Sequence, residues 1–228
     1  RRPMKFFGRA VAILRKDLQT EWRTKERLSP MVFFSLLVLL VFNFSFELGG
    51  AALREIGPGV LWSSYVFASL LGLGRSFADE RENHAFDALL LAPGDRGAIY
   101  LGKMMGNLVF LLAIELLSLP FFTLFFNLSP GFFLIPLVAV FILGSACLAS
   151  VGTLFAAMSN NMRLRELLLP LLLLPMILPA LISCVAATKV VLANGPIDKI
   201  LPHLQMLGVY ALVFTVLSLM LFEHAIEE

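Results

Sequence analysis

The stretch GDRGAIYLGKMM, Gly94 to Met105, decides how the whole chain is read. It contains Gly97-x-x-x-x-Gly102-Lys103, all but the last residue of the G-x-x-x-x-G-K-[ST] loop that cradles nucleotide phosphates. Such a loop needs a strand before it, small flexible residues within it, and a hydroxyl after the lysine to hold Mg²⁺. Here Pro93-Gly94-Asp95 precedes it, the interior is Ala98, Ile99, Tyr100 and Leu101, and position 104 is methionine. A long apolar run follows. The stretch therefore reads as the start of a membrane helix, with Asp95 as its N-cap. Lys103 falls in the first two turns, where its stem is expected to lie along the helix and its head to reach the membrane edge. No other stretch supplies a nucleotide fold, so any ATP used by this protein, with its Mg²⁺, is expected on another chain.

The rest of the sequence agrees with a membrane protein. Of its 228 residues 59% are hydrophobic, and the mean hydropathy is +0.87. The apolar residues gather into six runs, at about 29–48, 58–78, 98–127, 131–158, 167–187 and 204–222. Each has roughly the 20 residues that a bilayer requires, and helices satisfy their own backbone groups there. Ser29-Pro30 reads as the N-cap and first-turn proline of the first run, and Pro58 reads as the opening of the second. The fold class expected is an all-α integral membrane protein with six transmembrane helices in a single domain.

The basic residues orient it. Nine of the 18 Lys and Arg lie in the first 27 positions. With the N-terminus inside, these nine join Arg75, Arg81, Arg96, Lys103, Arg163 and Arg165 on the inner side. Only Arg54, Lys189 and Lys199 fall outside. Both termini are thus expected in the cytoplasm. A cleaved signal would have a shorter basic region and a small-residue cleavage site, so the first span is expected to be retained. Residues 5–27 form no span. Phe7, Val11, Leu14, Leu18 and Trp22 make one apolar stripe, with Arg9, Lys16 and Arg23 off it. The pattern predicts a basic amphipathic helix lying in the membrane surface. Lipid is an expected partner; nucleic acid is not.

The second inner connection, RSFADERENHAFDALLLAPGDR, Arg75 to Arg96, predicts a short helix over 79–92. Asp79, Glu80, Arg81, Glu82 and Asp87 carry four acids and one base. Phe86, Leu89 and Leu90 share one face. An acidic flank is repelled by an anionic inner leaflet, so this helix is expected to meet a protein.

Catalytic and metal chemistry is absent from the pattern. His84, His203 and His224 lie outside the predicted spans, and Trp22 and Trp62 are far apart. His203, beside Pro202, reads as a loop histidine. Neither Cys147 nor Cys184 has metal-type spacing, and both read as small core residues. No catalytic residue and no metal site is expected, and the chain is not read as an enzyme.

Three intramembrane features stand out. Glu115 sits mid-span, where a charge costs roughly 2.5–3.5 kcal/mol, so it should face the bundle or a partner. It reads either as a gate, pathway or interface residue, or as a protonated acid bonded to Ser118 or a neighbouring helix. Pro170, Pro175 and Pro179 are expected to kink span five and share the candidate gate or interface role. Ser145, Ala146, Ala149, Ser150 and Thr153 permit close helix packing within the chain or across a dimer. The segment TKVVLANGPIDKILPH, Thr188 to His203, is expected to re-enter the outer surface in part.

The order of basic amphipathic helix, six spans and acidic helix between spans two and three resembles the type-2 ABC exporter permeases. REIGPGVLW (Arg54 to Trp62), FADERENHAFDALLLAP (Phe77 to Pro93) and LPLLLLPMILPALI (Leu169 to Ile182) are similar to the haem exporter protein B (CcmB) family of cytochrome c maturation. The likeness covers nearly the whole chain. It departs at His84, where the family often has glycine, and at Asp87, where it often has glutamate. The resemblance implies a homodimer in the bacterial inner membrane, paired with two copies of a cytoplasmic ATPase, haem exporter protein A. Proteins C and D and the haem chaperone E are implied as further partners, with haem as the transported or handled substrate. The acidic helix residues Asp79, Glu80, Arg81, Glu82, Phe86, Asp87, Leu89 and Leu90 would then couple to the ATPase. Transport of haem and mechanical release of a loaded chaperone remain equally open. A generic exporter of lipid, drug or glycan is the alternative.

Overall fold

The computed structural model describes residues 6–45, 50–77, 95–126, 134–159 and 165–225. Seven helices make up the described residues: α1 (Phe6–Thr24), α2 (Leu28–Ser45), α3 (Gly50–Arg75), α4 (Gly97–Phe125), α5 (Leu134–Ser159), α6 (Arg165–Leu192) and α7 (Ile197–Ala225). The last six are each long and apolar enough to cross a membrane. The described residues form helices and turns with no strand among them, and the chain is a multi-pass membrane protein.

α5 is the most enclosed span and packs against α3, α4, α6 and α7. Its small residues explain that position. Ser145, Ala149, Ser150 and Thr153 are all fully buried within the chain, which lets neighbouring backbones come close. Tyr100 Oη donates to the Ser150 carbonyl at 2.9 Å. α2 and α7 lie at the periphery, and their outer faces carry large apolar side chains such as Phe33, Phe44, Val209 and Met220.

Several boundaries differ from the sequence reading. α2 starts at Leu28, so Ser29 falls inside its first turn. Its cap comes instead from α1, where the Glu21 carboxylate accepts from the backbone N–H of Arg27 (3.1 Å) and Leu28 (2.8 Å). An anion at a helix N-terminus is favourable. Lys25, at φ 56°, takes the left-handed conformation that ends α1. Pro58 does not open the second span; α3 begins eight residues earlier at Gly50 and runs through it. A membrane helix tolerates the lost donor because neighbouring helices re-satisfy the backbone.

The segment 188–203 is the end of one helix, a turn and the start of the next. α6 continues to Leu192 and α7 starts at Ile197, leaving a tight turn between them. Asn194 adopts φ 52°, and the Gly195 N–H closes onto the Val190 carbonyl at 2.9 Å. A Cβ on Gly195 would lie 2.7 Å from Val190 Cγ1. His203 is consequently a half-buried helical residue of α7 and not a loop residue. Polar Asn-Gly-Pro marked a break correctly, but the flanking apolar residues belong to two packed helices.

Both described chain ends lie at one end of the bundle. A Cβ on Gly97 would have Phe6 Cε2 and Leu219 Cδ2 each at 3.5 Å. We call this the basic end; exposed Lys189 and Lys199 flank the α6–α7 turn at the other.

Candidate functional site

The basic end is built around the stretch that resembled a phosphate loop. Asp95 caps α4 as its sequence implied: its Oδ1 accepts from the Gly97 N–H at 2.8 Å. Gly102 and Gly106 are one turn apart and form a seat for α1. A Cβ on Gly102 would lie 2.7 Å from the Ala10 carbonyl oxygen and 2.9 Å from Ile13 Cβ. Only glycine allows the two backbones this approach.

Lys103 does not reach the membrane edge. Its side chain is 1% exposed. Its Nζ pairs with Asp17 Oδ2 at 3.0 Å, donates to the Ser76 carbonyl at 2.8 Å, and lies 5.3 Å from the Phe77 ring centre. Snorkelling is the default where no partner is near, and α1 brings one in Asp17. Asp17 is also paired with Lys16 at 3.1 Å. Arg27 Nη2 donates to the same Ser76 carbonyl at 3.1 Å. The Ser76 hydroxyl and Asn107 Oδ1 are 3.1 Å apart, and Asn107 Nδ2 donates to Thr153 Oγ1 at 2.9 Å. One polar chain thus ties α1, α2, α3, α4 and α5 together.

α1 is a helix as predicted, and it meets the protein through a mixed face, leaving Arg15, Lys16 and Arg23 exposed beside its stripe. Arg9, Asp17 and Glu21 are buried with Ala10 and Ile13. Phe7 and Trp22 of the apolar stripe are 72% and 84% exposed. Val11, Leu14, Leu18 and Trp22 line an open groove bordered by Arg15, Gln19 and Arg23.

The second polar centre lies inside the bundle. Glu115 is 2% exposed. Ser145 Oγ of α5 donates to its Oε1 at 2.7 Å, while Oε2 has no hydrogen-bond partner among the described residues. Ser118, one of the two partners expected, is engaged elsewhere: it donates to the Ile114 carbonyl at 2.7 Å, and its Oγ lies 3.0 Å from Tyr65 Oη. The hydrogen bond to Glu115 therefore comes from a neighbouring helix. Above it, Trp62, Tyr65 and Phe141 meet edge to face with ring centres 5.8–5.9 Å apart. Trp62 Nε1 donates to Thr188 Oγ1 at 2.9 Å. A Cβ on Gly144 would lie 2.3 Å from the Trp62 ring. The cavity between Trp62, Gly144, Ile177 and Cys184 has a volume of about 10 Å³, room for one water at most.

The remaining sequence candidates separate from both centres. α6 is continuous through Pro170, Pro175 and Pro179. Pro175 and Pro179 are exposed and Pro170 is half-buried, while Leu169, Leu173, Ile177 and Ala180 form the buried stripe. Asp79, Glu80, Arg81, Glu82, Phe86, Asp87, Leu89 and Leu90, with the predicted helix over 79–92, lie outside the described residues. Cys147 and Cys184 are buried and not joined in a disulfide, and Cys147 Sγ donates to the Leu207 carbonyl at 3.4 Å. Among the described residues no group of His, Cys, Asp and Glu could hold a metal ion.

The comparison with known proteins bears on the whole of this architecture. The family described as CcmB protein matches residues 8–228, from within α1 to the last residue. The chain belongs to the CcmB family. Heme exporter protein B of Paracoccus denitrificans is 35% identical over 179 residues, covering 78% of this chain and 81% of that one. Heme exporter protein B of Pseudomonas aeruginosa is 30% identical over 194 residues, covering 85% and 86%. Its namesake in Escherichia coli K12 is 27% identical over 196 residues, covering 86% and 87%. In this CcmB family member the residues that sequence reasoning missed are Asp17, Glu21, Arg27 and Ser76 at the basic end, and Tyr65 and Ser145 beside Glu115. Gly102-x-x-x-Gly106 on α4 and Asp17 and Glu21 one turn apart opposite the α1 stripe were the available signals.

Proposed function

We propose that this chain is the membrane permease subunit of an ABC-type complex that exports or handles haem in c-type cytochrome biogenesis. The observation that carries the reading is the near full-length likeness to Heme exporter protein B, over a chain with six long apolar helices. The subunit sits in the bacterial inner membrane as a homodimer with both termini in the cytoplasm. The shared position of Phe6 and Leu219 at the basic end supports that orientation. The exposed stripe of α1 rests in the lipid surface, with Arg15 and Arg23 toward anionic headgroups.

Two copies of a cytoplasmic ATPase, haem exporter protein A, bind ATP and Mg²⁺ and dock on the acidic connection through Asp79, Glu80, Arg81, Glu82, Phe86, Asp87, Leu89 and Leu90. Proteins C and D and the chaperone E complete the assembly. The version put forward is the mechanical one, in which ATP-driven movement releases the haem-loaded chaperone. The test uses vesicles holding this chain, the ATPase, C and D, loaded with haem and chaperone. ATP-dependent release of the chaperone with no haem crossing the bilayer is the expected result. Haem flux with this chain and the ATPase alone would replace the mechanical version with transport. Neither flux nor release would remove the reading altogether.

A further inference from the structure

A helix on a soluble protein buries its apolar stripe; α1 leaves Phe7, Val11 and Trp22 exposed and buries Arg9, Asp17 and Glu21 with Ala10 and Ile13 instead. That face meets the Gly102–Gly106 seat of α4, and the bond that crosses the seat is the ion pair of Asp17 with Lys103, both nearly inaccessible. Lys103 also donates to the Ser76 carbonyl. Arg27 reaches the same carbonyl from the other side. Arg75 Nη1, in the last turn of α3, donates to the Glu26 carbonyl at 3.1 Å. Two cations, Lys103 and Arg27, thus converge on the carbonyl just past the C-terminal end of α3, the end a helix dipole makes negative, and Arg75 ties that end to the α1–α2 turn. The chain leaves this point through Phe77 into the acidic connection.

We propose that the Asp17–Lys103 pair is a coupling joint. It binds α1 to α4 and, through Ser76, to the end of α3, so that a displacement of the acidic connection moves all three helices as one unit. Lys103 and Asp17 are positioning residues in this sense. A buried ion pair adds little stability over a well-packed apolar pair, so what this pair supplies is a fixed relation between elements. Movement entering at Ser76 also passes through Asn107 to Thr153, and so to the central helix α5. The joint rests on the reading that the acidic connection docks an ATPase.

The test is the double variant Asp17→Asn/Lys103→Met, which removes both charges and strands neither. The single variant Lys103→Met is the companion, since Asp17 keeps Lys16 as a partner. Both are measured in the assembled complex for ATPase co-purification, ATP hydrolysis, cytochrome c formed, and amide exchange across α1. The expected result is normal assembly and continued hydrolysis, with cytochrome c per ATP reduced roughly tenfold, within the ordinary range of coupling between sites. α1 exchange should rise by about tenfold as the joint opens. Unchanged cytochrome c per ATP in a folded, assembled variant overturns the joint. Loss of the ATPase from a folded variant also overturns it, because the pair would then serve docking. If the unsubstituted chain itself holds no ATPase, the docking reading fails separately. The joint is then judged on exchange alone, and unchanged α1 protection in the double variant overturns it.

Discussion

Gly102→Val separates a helix seat from a phosphate loop in one substitution. The first added atom would lie 2.7 Å from the Ala10 carbonyl oxygen, 0.7 Å short of the 3.4 Å at which ordinary contact begins, and 2.9 Å from Ile13 Cβ. One of these neighbours is backbone, so no rotamer change relieves it, and α1 must lift from α4. Overpacking of this kind costs about 1–3 kcal/mol. Valine recovers little of it through helix propensity, since it is only slightly better than glycine there. If the whole cost falls on the α1–α4 contact, the detached population of α1 rises roughly 5- to 150-fold, since each 1.4 kcal/mol is about tenfold. The assay is hydrogen exchange of the Phe6–Thr24 amides in lipid nanodiscs. Gly208→Val on α7 is the control, because a Cβ there meets nothing within 4 Å. Exchange across α1 should accelerate in Gly102→Val and stay unchanged in the control. Equal exchange in both would refute the seat.

Gly144→Ala should lower the thermal unfolding midpoint through a loss of about 1–3 kcal/mol, because its methyl meets the Trp62 ring at 2.3 Å and Cys184 Sγ at 2.8 Å. Trp62→Leu in the same chain should recover part of the loss, and strict additivity would show the clash is not felt. Glu115→Gln keeps an acceptor for Ser145 Oγ and should assemble and mature cytochrome c at the level of the unsubstituted chain. Glu115→Leu should lose only about 0.6 kcal/mol, the mean for an interhelical bond in membranes. An assembled Glu115→Gln complex that matures no cytochrome would assign the residue a charge-carrying role. Phe86→Asp should release the ATPase from detergent extracts while the spans still insert, and full ATPase co-purification with that variant would contradict docking on this ridge.

The spans were readable because an apolar run of bilayer length has few other uses, and the Asp95 cap because its bond is local. The Lys103 site was not readable. Its partner Asp17 is 86 positions earlier and sits on the face of α1 that a pattern search assigns to solvent. Glu21 was close in sequence to the start of α2 but was passed over as its cap, since Ser29-Pro30 offered a plausible substitute. Pro58 was misread because proline interrupts soluble helices far more than membrane ones. Glu115 was legible as a buried polar residue from its position alone. Its partner was not, because Ser118 on its own helix was nearer in sequence than Ser145 on α5.

A strain lacking this chain offers the most direct measurement of the central claim, that it is the permease subunit of an ATP-driven haem-handling complex. Holocytochrome c is quantified by haem stain after restoring the chain together with either an intact partner ATPase or one unable to hydrolyse ATP. The account predicts holocytochrome c only when the chain and the intact ATPase are both present. Maturation without this chain, or with an ATPase that cannot hydrolyse ATP, would contradict it.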